Sequence, residues 1–370
     1  MMNRRQFITY SGSALIMAGG FPLFQSLDQL QSTEREKTPA FTVVLEPEIA
    51  DILYLAALAP SGHNAQPWTV KMITSYHWII GTDSSRWLPA VDPENREMMI
   101  SIGAFLENLV TAASSHGYEA EIRIFAQSTK DPEIAAVKLH KLGQAANSLI
   151  QQIELRRTLR SNLITRELSG EDIRLITQGY QDDVLYYPRN SKESKVLAEA
   201  TILANEIQAY RDSTQQELAG WIRWSNQDSR RYGNGLTAET MEIEGVSRWY
   251  VKNFYTYESV LKKEFRAATI KKVKEQTGTG SGWLVLTSKD TTVSELIRTG
   301  RNLQQIWLMV RDRNIALHPM TQAIEESATG KELPSILGIT GNMQLLLRVG
   351  YVNHYPRPVS PRMSLQKIIL

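Results

Sequence analysis

Two short stretches hold most of the side chains that could do chemistry. "RRTLR" places Arg156, Arg157 and Arg160 around the Thr158 hydroxyl. Guanidiniums converging with a hydroxyl are what a phosphate dianion requires. On a helix, Arg156 and Arg160 stand four residues apart and share a face. The competing reading is a basic helix end that faces solvent and complements the macrodipole. The second stretch is "PSGHNAQPW", Pro60 to Trp68. It offers backbone N–H groups and amide side chains, with no evident general base, metal cluster or nucleophile. Such a loop holds a ligand rather than attacking it.

The rest of the chain supplies little other chemistry. The six His residues show no metal-ligand spacing, and neither a His-x-x-x-His pair nor a carboxylate triad accompanies them. No G-x-S-x-G, P-loop or strand-to-helix G-x-G-x-x-G occurs. "GTGSGW" runs into a strand, so it reads as a turn. The tail "NHYPRPVSPRM" carries Arg357 and Arg362 between stiffening prolines. It reads either as a phosphate clamp or as a surface end.

The elements that must position these residues follow from periodicity. At 370 residues and 42% hydrophobic, the chain can bury a large core. A net charge of +2 gives no electrostatic case for nucleic acid. The absence of Cys removes disulfides and thiol chemistry. "EPEIADILYLAALA" predicts a helix, "WTVKMI" and "HWIIGTD" two strands, and "NREMMISIGAFLENLVTAASS" a long helix that Gly117 stops before another strand. The order then repeats: the strand "SGWLVLTSKD", the long helix "VSELIRTGRNLQQIWLMVRDRNI" running into an apolar turn, and the strand "MQLLLRVGYV". This predicts an internal duplication, with Ser101 and Arg298 at equivalent helix positions. Between the halves, a helix from near Ala145 leads to the Arg motif and a mostly helical region follows. The polar stretch from Ser225 to Ile243 reads as a long loop that could act as a lid.

The N-terminus reads differently. "NRRQF" precedes the moderately apolar "ITYSGSALIMAGGFPLF", the order of a twin-arginine export signal. Its poor cleavage site also makes it a candidate membrane anchor. The expected divisions are a signal or anchor with linker over 1–40, a first half over 41–145 and a second half over 146–370.

Taken together, "APSGHNAQPW", "RRTLR" and "VGYVNHYPRPVSPRM" resemble the motifs of the nitroreductase family of FMN enzymes. The loop and the Arg motif are divided between the halves, which is similar to the fused, double-length Acg-like branch. The resemblance implies an α+β, nitroreductase-like fold: two tandem related halves mimicking the family dimer, with antiparallel-rich sheets flanked by helices. It implies one retained FMN site of two, in a monomer that mimics a dimer. Arg156, Thr158, Arg160 and Arg362, with Arg157 beside them, would hold the phosphate. Pro60, Ser61, Gly62 and Asn64 would line the flavin from the other half. Pro319, Met320, Thr321 and Gln322 would bring a backbone N–H to its reactive edge, although the family's usual Glu-Gly is missing there. The implied partners are a small planar acceptor, nitroaromatic or quinone-like, and an electron donor of unknown identity. The resemblance implies no catalytic side chain and no metal. An alternative is a protein that stores or sequesters FMN. Export would place it in the periplasm, where NAD(P)H is not expected.

Overall fold

The computed structural model describes residues 45–142, 149–180 and 183–370. The export signal expected over 1–40 lies outside the described residues. In the first half, helix α1 (Pro47–Ala56) leads through the Pro60–Pro67 loop into strands β1 (Trp68–Thr74) and β2 (His77–Thr82). The long helix α2 (Arg96–Ser115) follows, then β3 (Tyr118–Ile124) and β4 (Glu133–Lys141). Gly117, at φ +79°, makes the left-handed turn out of α2 into β3. These strands form an antiparallel sheet in the order β1-β2-β4-β3.

The second half opens with α3 (Ile150–Leu155) and α4 (Gly170–Thr177), then β5 (Val184–Pro188). A helical excursion separates β5 from its neighbour: α5 (Lys192–Tyr210), α6 (Asp212–Trp221), α7 (Asn226–Tyr232), α8 (Gly245–Phe254), α9 (Tyr257–Leu261) and α10 (Lys263–Thr277). Within it, the two-residue strands β6 (Ile222–Arg223) and β7 (Leu236–Thr237) pair in parallel. Next come β8 (Gly282–Ser288), the long helix α11 (Val293–Arg311), β9 (Ile315–Pro319) and β10 (Asn342–Tyr351). This sheet runs β5-β8-β10-β9, again antiparallel. Each half therefore has the same strand order with a long helix between its second and third strands. This repeated order is what the expected duplication would produce.

Two expectations need correction. The stretch after α11 was expected as an apolar turn, but Ile315–Pro319 is a strand paired with β10. Its apolar residues are buried sheet, which a short run cannot distinguish from a turn without its partner. The stretch from Ser225 to Ile243 is not a bare loop, because it contains α7 and β7. Ser225 caps α7 by accepting from the Asp228 N–H, and Gly233 at φ +69° ends it. A polar seven-residue helix carries no apolar stripe by which to be recognised.

The second sheet is covered on both faces, so its central strands are apolar throughout. Leu284, Leu286, Leu345 and Leu347 enter the main core with α2 and α11. The alternate residues Trp283, Val285, Met343 and Leu346 enter a second core with Leu197 and Val273 from the excursion.

The halves join where α2 crosses α11. Gly103 and Gly300 face each other, and a Cβ built on Gly300 would lie 3.0 Å from the Gly103 Cα and far inside contact with the Ile100 carbonyl. A Cβ on Gly103 would meet the Ile297 carbonyl in the same way. Ile100, Ser101 and Gly103 thus match Ile297, Arg298 and Gly300 around a pseudo-twofold axis. Beside the crossing, Arg301 Nε pairs with the buried Glu107 at 2.8 Å, and Gln304 donates to Asn108 at 2.6 Å.

The tail is not a free surface end. It runs back from β10 onto the first sheet, where Ile369 bridges Val70 and Ile368 is fully buried. This carries the second half's Arg362 across to the first half's loop.

Candidate functional site

The Pro60–Pro67 loop is built under backbone strain. His63, Asn64 and Gln66 all have φ near +50°, a region that costs side-chain-bearing residues about 1–3 kcal/mol each when surrounding contacts enforce it. The enforcing contacts come from elsewhere in the chain. Gln66 Nε2 donates to Gly233 O at 2.9 Å, and its Oε1 accepts from the Met363 N–H at 3.0 Å. Asn64 Nδ2 donates to Gly235 O at 3.1 Å and Pro361 O at 3.0 Å. The amides of this loop therefore pin the 233–235 segment and the tail. Ser61 Oγ likewise accepts from the Gln66 N–H within the loop.

The four arginines of the sequence reading gather beneath this loop. Arg156, Arg157, Arg160 and Arg362 line one cavity of about 70 Å³, with Thr158, Pro60, Ser61 and Asn64. Arg156 and Arg160 do not share a helix face, because α3 ends at Leu155 and Arg156 is extended, with ψ 134°. They converge through a loop. The helix is described only from Ile150, and its expected start near Ala145 lies outside the described residues. The solvent-facing reading of the motif also fails. Arg156 is buried, lies 4.8 Å over the Trp307 ring and donates to Leu58 O at 2.9 Å. Arg160 donates to Thr240 O at 2.7 Å, Arg157 to Arg357 O at 2.7 Å, and Arg362 to Leu58 O and Ala59 O at 2.9 and 2.8 Å.

Most of these partners are neutral carbonyls. The carboxylate nearby is Glu242, 3.9 Å from Arg157 and accepting from the Arg160 N–H at 2.8 Å. Burial, with Arg156 adding repulsion, pushes Arg362 down to about 9, and burial pushes Arg156 down to about 10. Both stay charged at neutral pH, so positive charge accumulates with little to balance it. Arg156 Nε and Arg157 Nε have no hydrogen-bond partner. Buried, unbalanced guanidiniums with free donors call for an anion.

This cavity adjoins a larger one of about 290 Å³, and Pro60, Ser61, His63, Thr158, Arg160 and Leu236 line both. Gly62, Pro319, Thr321 and Gln322 line the larger one. A Cβ on Gly62 would lie 2.9 Å from Leu88 Cδ1, so the loop packs close against the Leu88 side chain. Met320 is the exception among the predicted residues. It is buried in the second core, and its N–H is committed to Leu346 O at 2.8 Å. Its side chain packs into that core and away from the cavity, which leaves Thr321 and Gln322 as the backbone donors of this segment.

Several lining residues were not assigned a site role from the sequence. Trp307 and Glu97 come from the two long helices that read as core, and Gln208 and Glu325 from the helical excursion and a short helix after β9. Ser101, singled out by the duplication without a role, also lines this cavity. Its counterpart Arg298 is engaged by Glu295 at 2.6 Å and by Asp183. His63 and His318 are neutral near pH 7: burial, then Arg160, push His63 down to about 4, and burial with Arg348 lowers His318 well below its ordinary value. Among the described residues no cluster suited to a metal ion occurs.

No protein-family model matches the chain. Curated relatives do. One from Mycobacterium tuberculosis (strain ATCC 25618 / H37Rv) is 26% identical over 337 residues, 87% of this chain and 90% of its own. A second from the same strain, named acg, is 24% identical over 88% of this chain and 96% of its own. PigM from Serratia sp. (strain ATCC 39006) is 22% identical over 88% of this chain and 93% of its own. All three bear the inferred name NAD(P)H nitroreductase.

The chain is nitroreductase-like along nearly its whole described length.

The matched span of this nitroreductase-like chain takes in both halves, so the resemblance is to a double-length protein and not to one half alone. Among solved structures, the FMN and NADPH-dependent nitroreductase NfnB from Sphigopyxis sp. strain HMH aligns at 15% identity over 60% of this chain and 98% of its own. Its TM-score of 0.39 carries no argument.

Proposed function

We propose that this nitroreductase-like chain is an FMN-dependent oxidoreductase that passes electrons from a nicotinamide-type donor to a small planar acceptor. The observation that carries this reading is the buried, charge-unbalanced arginine cluster opening onto the 290 Å³ cavity between the halves. A phosphate dianion would balance Arg156, Arg160 and Arg362, and Thr158 would add a hydroxyl donor. Bound there, FMN would supply hydride chemistry at its flavin N5. The chain itself would clamp the phosphate, line the ring with the Pro60–Gly62 loop and offer an N–H from the 321–322 segment.

One FMN per chain is the expected stoichiometry, since the Asn/Gln-Pro-Trp loop and the Arg motif each occur once, in different halves. Titrating apoprotein with FMN should saturate near one equivalent. Saturation near two would mean that both halves bind. A colourless protein that takes up no flavin would refute the reading outright.

A storage role is the second reading, favoured by one set of contacts. The 233–242 segment lies on the phosphate end: it accepts from Arg160 and Asn64, and Glu242 meets Arg157 and the Arg160 N–H. Replacing residues 226–243 with a short Gly/Ser linker should therefore speed FMN release about 10-fold or more, the loss of one to two charge-assisted contacts. Stopped-flow displacement measures it. A substrate lid predicts faster acceptor turnover with an unchanged flavin off-rate instead.

The twin-arginine-like N-terminus would place the enzyme in the periplasm, anchored or free, and working as a monomer. Signal processing in whole cells, followed by fractionation, tests this. An exported enzyme then needs a donor other than NAD(P)H; a nicotinamide donor instead means that the N-terminus is not a working signal.

A further inference from the structure

The larger cavity ends in acid where it departs from the arginines. Glu97, in the first turn of α2, and Glu325, at the end of the short helix Gln322–Glu325, both line it. Neither lines the smaller, arginine-walled cavity. The Glu325 carboxyl lies against that of Glu97. Their other contacts hold them in place: Gln208 Nε2 donates to Glu325 Oε2 at 2.6 Å, and Arg96 Nη2 to Glu97 Oε1 at 3.0 Å. Two carboxyls in contact cannot both ionise cheaply, so the pair retains a proton.

Burial first, then the Glu97 charge, raise Glu325 well above the ordinary carboxylate range. The other charged groups packed around the pair are Arg96 and Asp92, whose carboxyl burial and Glu97 push up to about 6. The Arg211–Glu326 ion pair stands next along the chain. Glu325 is half-buried and lines the cavity. Gln322 lines the same cavity from the start of that short helix, and its Oε1 has no partner. The retained proton thus sits about one helical turn from the segment that would meet the flavin's reactive edge.

We infer that the Glu97–Glu325 pair is the proton donor to the acceptor as it is reduced, and a quinone serves as the probe of that step. This rests on the flavin reading above. A quinone becomes a hydroquinone by taking two electrons and two protons. Two electrons and one proton arrive as hydride from reduced FMN, which is thereby oxidised. The second proton leaves the Glu325 oxygen as a new O–H bond forms on the quinone oxygen. Water then reprotonates the pair.

The test compares wild type with Glu325→Gln, which can still accept from Gln208. Benzoquinone reduction should fall about 100-fold, the scale of a lost general acid. Ferricyanide, which takes an electron without a proton, should be reduced at the wild-type rate, and FMN affinity should not change. Two readouts need no turnover. The apoprotein should show a carboxylic-acid C=O infrared band at neutral pH that the variant lacks. A raised carboxyl also makes the folded chain lose stability as pH climbs from the ordinary carboxylate range through the raised value. Urea titrations should show that slope in wild type and a weaker one in Glu325→Gln. Glu325→Asp should recover part of the quinone rate. Equal losses with both acceptors, or no loss with either, overturn the inference while leaving the flavin reading intact. A chain that binds no FMN overturns both.

Discussion

Arg156→Ala should weaken FMN binding about 10- to 100-fold, because losing a charge-assisted hydrogen bond to phosphate costs about 1.5–3 kcal/mol. Arg156 is the sharpest choice because it is buried, has an unpartnered Nε and takes no carboxylate of its own. Removing it also relieves repulsion on Arg362. The apoprotein should therefore lose little stability even as the ligand is lost. Riboflavin, which lacks the phosphate, should bind wild type and variant equally weakly. Fluorescence titration with both ligands makes the measurement. A variant that still prefers FMN over riboflavin as strongly as wild type would place the phosphate elsewhere. Arg362→Ala should behave alike, with the added loss of its bonds to Leu58 O and Ala59 O.

Gly300→Ala should destabilise the fold by about 3 kcal/mol, the upper end of overpacking costs. The added Cβ would press on the Ile100 carbonyl, which is backbone and cannot swing aside like the end of a side chain. Gly103→Ala should cost a similar amount through the Ile297 carbonyl. The two sites touch, so the double variant should cost less than the two single losses added together. Urea unfolding reads this as a lower midpoint at unchanged slope. Because α2 and α11 both wall the larger cavity, FMN affinity should fall in the same variants. Unchanged stability in either variant would mean that the helices can separate freely, contrary to the close crossing.

Much of the site was legible because its chemistry is concentrated in short runs. A polar Asn/Gln loop after an apolar helix, and three arginines around a threonine, are local patterns, and the structure brings both to one cavity. The duplication was also legible, since a long apolar helix between strands leaves its period in the chain twice. Residues such as Glu97 and Glu325 were not. Each is an ordinary charged residue on a helix, and its meaning arises only when a second helix places another carboxyl against it.

By itself, then, the sequence determined most of the element types and the concentration of positive charge in the arginine run, because propensity, periodicity and charge are local properties. Tertiary structure decided everything that depends on approach. It turned Arg156 and Arg160 inward through a loop rather than along a helix. It used the Asn64 and Gln66 amides to tie down the tail, and it turned Met320 away from the cavity. It also made an apparent surface end carry Arg362 across to the opposite half. These outcomes follow from burial and hydrogen-bond completion between segments far apart in the chain, 297 residues for Asn64 to Pro361 and 303 for Arg362 to Ala59, which no local window contains.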